Sequence, residues 1–329
     1  MQRKVKFYYN SAIAFKNIAK NIANIANIYK TKTIGTNFMN IINGKEISQK
    51  IRFELKEKIK NLTKQTDRQP GLATILVGDD PASKIYVSSK IKACEQVGIK
   101  SYHNHILATS SVENIISLIK KLNEDKNVDG ILLQLPLPNG LNSDKCIQAI
   151  DYSKDVDGLH PYNSGMLTLI KSWDEISKQK LLVSCTPIGV IYLLKYSNID
   201  IAGKNIVVVG RSNLVGKPVS MLMLSNNATV TMAHSRTQNL KEITKKADIV
   251  VVAIGKAKFI NKDFIKDGAT VIDVGINRVD GKLYGDVDFD SVKDMNINIT
   301  PVPGGVGPMT ITMLLHNTIL AFEKHNDIV

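Results

Sequence analysis

The sequence predicts an α/β protein in which two α/β domains flank a cleft, the second a Rossmann-type dinucleotide-binding domain. Three observations carry that prediction. From Ile41 onward short apolar runs alternate with stretches of helical period, the pattern of buried parallel strands joined by crossover helices. Ile206-Val-Val-Val-Gly210 reads as a strand, Arg211–Gly216 as a turn and Lys217–Leu224 as a helix start, the order a dinucleotide site requires. Thr300-Pro-Val-Pro-Gly-Gly-Val-Gly-Pro-Met-Thr310 interleaves prolines and glycines just before an apolar helix, which gives a loop rigid in outline and bare of side chains.

The elements follow in order. Residues 1–38 are dominated by Asn, Ile, Lys and Ala, and Ile18, Ile22, Ile25 and Tyr29 fall at helical spacing. A basic amphipathic stretch of this kind suits an organellar transit peptide, and equally an upstream segment with no folded role. Between Glu46 and Leu62, apolar Ile47, Ile51, Leu55, Ile59 and Leu62 recur at intervals of four and three, so a helix with one buried stripe is expected. Leu72–Val77 reads as a buried strand ending at Gly78, and Ala82–Val97 as a helix stopped by Gly98. A strand near Ser101–Leu107, a helix over Val112–Asn123 and a strand over Gly130–Gln134 continue the alternation. In the second half, strands are expected at Ala228–Met232, Asp248–Ala253 and Ala269–Val274. The last helix runs through Met309–Phe322, with Pro308 suited to its first turn and its amides facing whatever the Pro/Gly loop holds.

Composition excludes several classes. No apolar run approaches the roughly 20 residues of a membrane-spanning helix. The net charge of +13 is concentrated at one end: residues 1–45 hold eight basic groups and no acid, and the rest hold 35 basic against 30 acidic. That mild excess suits a small anionic ligand and is too diffuse for a nucleic-acid stripe. Cys94, Cys146 and Cys185 are far apart and contain no C-x-x-C pair, which indicates a reducing compartment and no thiolate metal site. His103 and His105 share one strand face, but a third ligand is missing, so no metal is expected.

Polar residues collect at the expected carboxyl ends of strands, where open α/β sheets bind ligands. Tyr86 and Lys90 lie four apart, on one helix face. Gln134 ends a strand, and Asp157 lies in Lys154-Asp-Val-Asp-Gly158. In the second half, the glycines 210 and 216 are six apart and depart from the usual fingerprint. The second strand of that unit is followed by Ala233-His-Ser-Arg-Thr237, without the acid that grips ribose hydroxyls in NAD sites. Ser235, Arg236 and Arg211 instead suit a 2′-phosphate, which favours NADP; each charged hydrogen bond to it contributes about 1.5–3 kcal/mol.

From Met39 to the C-terminus these stretches resemble the bifunctional methylenetetrahydrofolate dehydrogenase/methenyltetrahydrofolate cyclohydrolase family. The resemblance rests on Pro81–Lys90, Leu133-Gln-Leu-Pro-Leu-Pro138, Lys154–Gly158, Cys185-Thr-Pro187, Val209-Gly-Arg-Ser212 with Val215-Gly216, and the Pro/Gly loop. His160-Pro-Tyr-Asn163 is similar to the bacterial branch, whose chains usually start where Met39 stands. The resemblance implies hydride transfer from 5,10-methylenetetrahydrofolate to NADP, then hydrolysis of the methenyl product to 10-formyltetrahydrofolate. It assigns Lys90 to proton transfer, Gln134 to holding and tuning that lysine, Tyr86 to stacking on the aminobenzoate ring, and Asp157 to the pterin edge. Leu133 and Leu135 flank Gln134 in the substrate site, and Pro303, Gly304, Gly305, Gly307, Pro308 and Thr310 line its far side. Gly210, Arg211, Ser212, Gly216, Ser235, Arg236 and Ile276 would hold the dinucleotide. Residues 39–157 would form the folate-side domain, completed by the helix from 308 to 329, and 158–305 the NADP domain. A cytoplasmic homodimer is implied, with an organelle the alternative if residues 1–38 are a transit peptide. Two other functions stay open on the sequence: a dehydrogenase with weak cyclohydrolase activity, and a non-catalytic nucleotide-binding protein of the same fold.

Overall fold

The computed structural model describes residues 39–328. The Ile18–Tyr29 stripe lies outside the described residues. Helix Gly44–Thr66 opens on Asn43, whose side chain accepts from the Glu46 N–H and donates to Glu46 Oε1 at 2.6 Å. That is a reciprocal cap, which fixes where the helix begins. Ile51, Leu55, Ile59 and Leu62 of the expected stripe are buried, and Ile47 is partly buried against the same core.

Two sheets follow. Strand β1 is Asn40–Ile41, β2 is Gly71–Val77, β3 is Lys100–Ile106 and β4 is Gly130–Leu133; β2, β3 and β4 form a parallel sheet in the order β3-β2-β4. All seven residues of the central β2 are buried, as a strand covered on both faces should be. The second sheet contains β5 (Asn205–Val209), β6 (Thr229–Ala233), β7 (Ile249–Val252) and β8 (Thr270–Asp273). A short hairpin, β9 (Asn277–Val279) and β10 (Lys282–Tyr284), precedes β11 (Asn298–Ile299). The large sheet is parallel throughout, in the order β1-β11-β8-β7-β5-β6.

One continuous core joins the inner faces of the two sheets. It runs from Ile51 and Leu55 of the first helix, through Leu72 and Leu132 of the small sheet, to Val208 and Ile272 of the large one. Helix Val306–His325 packs on both helix Gly44–Thr66 and helix Cys185–Tyr196, with Met313, Leu315 and Phe322 fully buried. Each such side chain contributes about 1.5–3 kcal/mol of burial. The outer faces are covered separately, β2 and β4 by Ile115 and Ile119 of helix Val112–Glu124, and β5, β7 and β8 by Phe264 and Ile265. Among the described residues no helix is long and apolar enough to cross a membrane, and no cluster of metal-ligating side chains occurs.

Three features differ from expectation. The last helix begins at Val306, three residues before Met309, so Val306 and Gly307 join Pro308 on its first turn and are not in a loop. Pro308 is its third residue, where the missing N–H has no intrahelical acceptor to lose. Asn40–Ile41, expected with the first domain, is instead an edge strand of the large sheet, because the Asn40 and Ile42 N–H groups donate to Ile297 and Ile299 carbonyls at 2.8 Å. The β9–β10 hairpin was not anticipated, although Asp280-Gly281 at its tip is the turn dipeptide for two successive positive φ angles, here 48° and 76°.

Candidate active site

Lys90 stands one turn beyond Tyr86 on helix Pro81–Val97, which starts at the carboxyl end of β2. Asp80 caps that helix by accepting from Ser83 N–H at 2.7 Å, and Val87 and Cys94 anchor its inner face. Tyr86 is therefore left exposed and Lys90 half-buried. Gln134 follows β4 directly and is buried; its backbone N–H continues the ladder to Ile75 O at 2.9 Å. Its side-chain NH2 donates to Leu135 O at 2.6 Å, which turns its Oε1 to accept from Lys90 Nζ at 3.0 Å. The amide oxygen thus orients the lysine through a hydrogen bond.

The Lys154–Gly158 segment is divided in its roles. Lys154 Nζ donates to Leu122 O at 3.2 Å and Asp125 O at 2.9 Å, closing the end of helix Val112–Glu124. Buried Asp155 accepts from His160 N–H at 2.8 Å and Asn163 Nδ2 at 2.9 Å. Val156 O receives Asn317 Nδ2 at 2.9 Å from the C-terminal helix. Asp157 alone is left partly open. It lies beside the sealed thiol of Cys185, which burial first and then the Asp157 carboxylate push well above the ordinary thiol range, with Lys90 opposing.

The 301–310 segment is tied to this region through Thr186, the residue after Cys185. Lys45 N–H donates to Gly304 O at 3.0 Å, and a Cβ on Gly44 would lie 1.9 Å from Gly305 O, so the first helix abuts the segment directly. Thr310 Oγ1 meets Thr186 Oγ1 at 2.9 Å, tying the two helix starts together. Pro303, Gly304, Gly305, Gly307 and Pro308 line a cavity of about 160 Å³ together with Ile276.

A larger pocket of about 720 Å³ lies at the carboxyl ends of β5, β6 and β7, lined by Gly210, Arg211, Ser212, Ser235 and Lys256 among others. Gly210 has φ 138°, and a Cβ there would stand 2.3 Å from Ala253 O. Gly216 is not in the lining; a Cβ on it would reach Gly210 O at 2.3 Å, so its role is close approach of the helix to the turn. Arg236 is exposed but outside that lining, so the expected convergence of two arginines holds for Arg211 only. Glu242 is the acid in the lining, with Lys241 and Lys256 beside it. A further cavity of about 620 Å³ opens between Leu135 and Gly158 on one wall and Asn213–Met221 on the other, next to the lysine site rather than at it. Leu133 is buried at the end of β4, with its side chain in the outer core.

Residues that sequence reasoning missed are mostly supports. Thr186 was quoted only as part of a motif, and Asn317, Asp273 and Asp286 were not singled out. Their signal was slight: a polar residue inside an apolar helix, and acids next to glycine in strand-rich sequence.

A glycine turn leading into a helix and an open pocket at the strand ends, beside a second sheet that carries a lysine-amide pair, are the features of a dinucleotide-dependent enzyme. Residues 42–157 match the family model described as the tetrahydrofolate dehydrogenase/cyclohydrolase catalytic domain, and residues 184–326 match its NAD(P)-binding domain. The chain is 53% identical over 284 residues to the bifunctional protein FolD of Halalkalibacterium halodurans, covering 86% of this chain and 99% of that protein. A crystal structure of the bifunctional FolD enzyme from Campylobacter jejuni superposes with a TM-score of 0.80 at 46% identity, covering 87% of this chain and 99% of that one. The Trypanosoma brucei enzyme, solved with NADP cofactor and an inhibitor, gives 0.79 at 35% identity over 87% and 98%. The chain belongs to the tetrahydrofolate dehydrogenase/cyclohydrolase family.

Proposed function

We propose that the cleft between Lys90, Asp157 and the 301–310 segment carries both reactions of this chain. The enzyme oxidises 5,10-methylenetetrahydrofolate to the methenyl compound with NADP and hydrolyses that product to 10-formyltetrahydrofolate. The 720 Å³ pocket, with its glycine turn and the exposed Arg211 and Ser235, fits the dinucleotide and its 2′-phosphate. When bound, NADP supplies the hydride acceptor. The chain's part in that step is orientation: Tyr86 offers a ring face for the aminobenzoate, Asp157 accepts hydrogen bonds from the pterin edge, and Ile276 with Pro303–Pro308 closes the side where the two ligands meet.

Hydrolysis needs a proton to move. Water adding to the cationic one-carbon bridge gives up both its protons as its oxygen becomes the formyl carbonyl: one leaves to solvent, and the other reaches the ring nitrogen released when its carbon–nitrogen bond breaks. Lys90 carries that proton, aimed by Gln134. The single observation behind this reading is the 3.0 Å contact from Lys90 Nζ to Gln134 Oε1. The division into a folate-side domain of residues 39–157 with the C-terminal helix, less the Asn40–Ile41 strand that joins the large sheet, and an NADP domain of residues 158–305 belongs to the same reading. So do a homodimer, checked by light scattering, and a cytoplasmic setting, supported by three free, buried cysteines.

The test is to follow methenyl formation and decay by absorbance with NADP and with NAD. Formation faster with NADP, followed by decay to the formyl compound, is expected. Formation without decay would leave a dehydrogenase alone, and neither would leave a binding protein.

A further inference from the structure

Two buried carboxylates that take no part in the chemistry lie back to back beneath the dinucleotide pockets. Asp286 is fully buried and accepts four hydrogen bonds. Its Oδ2 receives the N–H groups of Ile254 at 2.7 Å and Gly255 at 3.0 Å. Its Oδ1 receives Lys256 N–H at 2.8 Å and Asn277 Nδ2 at 2.9 Å. Asp273, at the end of β8, accepts from Gly275 N–H at 3.0 Å, from Asp286 N–H at 2.9 Å and from Val287 N–H at 2.9 Å. Its own N–H donates to Thr300 Oγ1 at 2.8 Å, one residue before the Pro/Gly segment.

The packing around these acids leaves no room for a side chain on two neighbours. A Cβ on Gly275 would lie 2.2 Å from Asp286 Cγ, and one on Gly285 would lie 1.9 Å from Asp273 Oδ2. Every hydrogen-bond partner of the two carboxylates is a neutral N–H group. Burying a carboxylate without a cation is unfavourable unless such bonds satisfy it, so what the acids organise indicates what they are for. Ile254 and Lys256 line the 720 Å³ pocket, and Gly275 and Ile276 line the 160 Å³ cavity. One pair of acids therefore sets the backbone along both.

We infer that Asp286, backed by Asp273, is a positioning residue for NADP, holding segments 254–256 and 274–277 in the conformation that receives the dinucleotide. The inference rests on the proposed placement of NADP along these two pockets. It predicts a separation that a general structural role does not give, because methenyltetrahydrofolate hydrolysis uses no dinucleotide.

The test is Asp286→Asn, which keeps the shape but sets an NH2 against a pair of donors whichever way the amide turns. The KM for NADP should rise about tenfold or more, with hydrolysis of methenyltetrahydrofolate within about twofold of the unmodified enzyme. An unchanged KM for NADP, or equal loss of both activities, overturns the inference. Arg211→Ala, measured alongside, tells the two layers apart: if it too leaves the KM for NADP unchanged, the pocket assignment has failed, and if it raises that KM while Asp286→Asn does not, only the role of Asp286 has. Should Asp286→Asn not fold, Asn277→Ala decides, since it removes one donor and leaves the carboxylate. A rise of about threefold in the KM for NADP with hydrolysis intact supports the inference, and no rise or a parallel loss contradicts it.

Discussion

The two sides of the cleft are built from different material. On the three-stranded side, the proposed site is made of side chains: Tyr86 and Lys90 from one helix, Gln134 from the end of β4, bonded to Lys90 and to Leu135 O, and Asp157 from the 154–158 segment. On the six-stranded side, much of what lines the pockets is backbone: the Gly210 turn, the 254–256 segment, which Asp286 holds from beneath, and the 301–308 segment, preceded by Thr300, whose hydroxyl accepts from the Asp273 N–H. The difference teaches where damage should be selective. A side chain on the first side can be removed with its surroundings intact, whereas on the second side a change in a buried support acts through the main chain.

Asp157→Ala gives the largest expected effect on the first side. Lys154, Asp155 and Val156 continue to hold the segment, so the protein should stay folded while the KM for folate rises about a hundredfold in both reactions, the loss of two charged hydrogen bonds. Normal folate affinity in this variant would remove Asp157 from the site. On the second side, Arg211→Ala with Arg236→Ala should raise the KM for NADP tenfold to a hundredfold, by about 1.5–3 kcal/mol, and hardly alter that for NAD. Because Arg211 lines the pocket and Arg236 does not, most of the effect should come from the first substitution; equal losses with both cofactors would place the arginines elsewhere.

The comparison extends to pH. Burial pushes His316 down from 6.5 to about 4, and its Nδ1 is sealed without a partner while Nε2 meets Tyr192 Oη at 3.1 Å. The unfolded chain binds a proton there at a higher pH than the folded chain does, so stability is lost as pH falls from 6.5 toward 4, by up to about 3 kcal/mol. Burial raises Asp273 from 3.8 to about 7, with the neighbouring Asp286 charge adding to it. There the folded chain holds the proton longer, so this group's contribution falls as pH rises from 3.8 to 7. Urea melts between pH 4 and 7 should show His316→Phe flattening the acid-side loss and Asp273→Asn changing the slope in the opposite sense. The same sign for both would contradict the two environments.

The smallest effect concerns the edge strand. A chain beginning at Met39 is expected to keep full activity, and one beginning at Asn43 loses the Asn40 and Ile42 pairings with Ile297 and Ile299, and the Asn40–Asn298 side-chain bond. At about 1 kcal/mol each, the melting temperature should drop by roughly 5 °C relative to the Met39 start. No difference between the two would make β1 incidental.

Most of the fold was legible because periodicity and punctuation agreed with tertiary burial. The Ile51–Leu62 stripe, the Gly71–Val77 run and the Gly98 stop all lie where the pattern puts them. The last helix starts early because Val306 and Gly307 look like loop residues until a proline in third position makes them a first turn. Lys90 and Gln134 were legible singly from their places beyond strand ends and as a pair only through the family resemblance; their contact depends on an amide orientation set by Leu135 O, which no spacing encodes. Asp273 and Asp286 escaped notice because an acid between apolar strands reads as a turn residue; their partners are backbone N–H groups, which leave no mark on the sequence.

The central claim is that one chain separates proton transfer on the folate side from dinucleotide binding on the other. It is tested most directly by a single absorbance trace of Lys90→Met with methenyltetrahydrofolate supplied directly, alongside a titration of the same sample with NADP. The account predicts that the methenyl signal persists while NADP still binds with unchanged affinity. Decay at the rate of the unmodified enzyme, or loss of NADP binding together with hydrolysis, would contradict it.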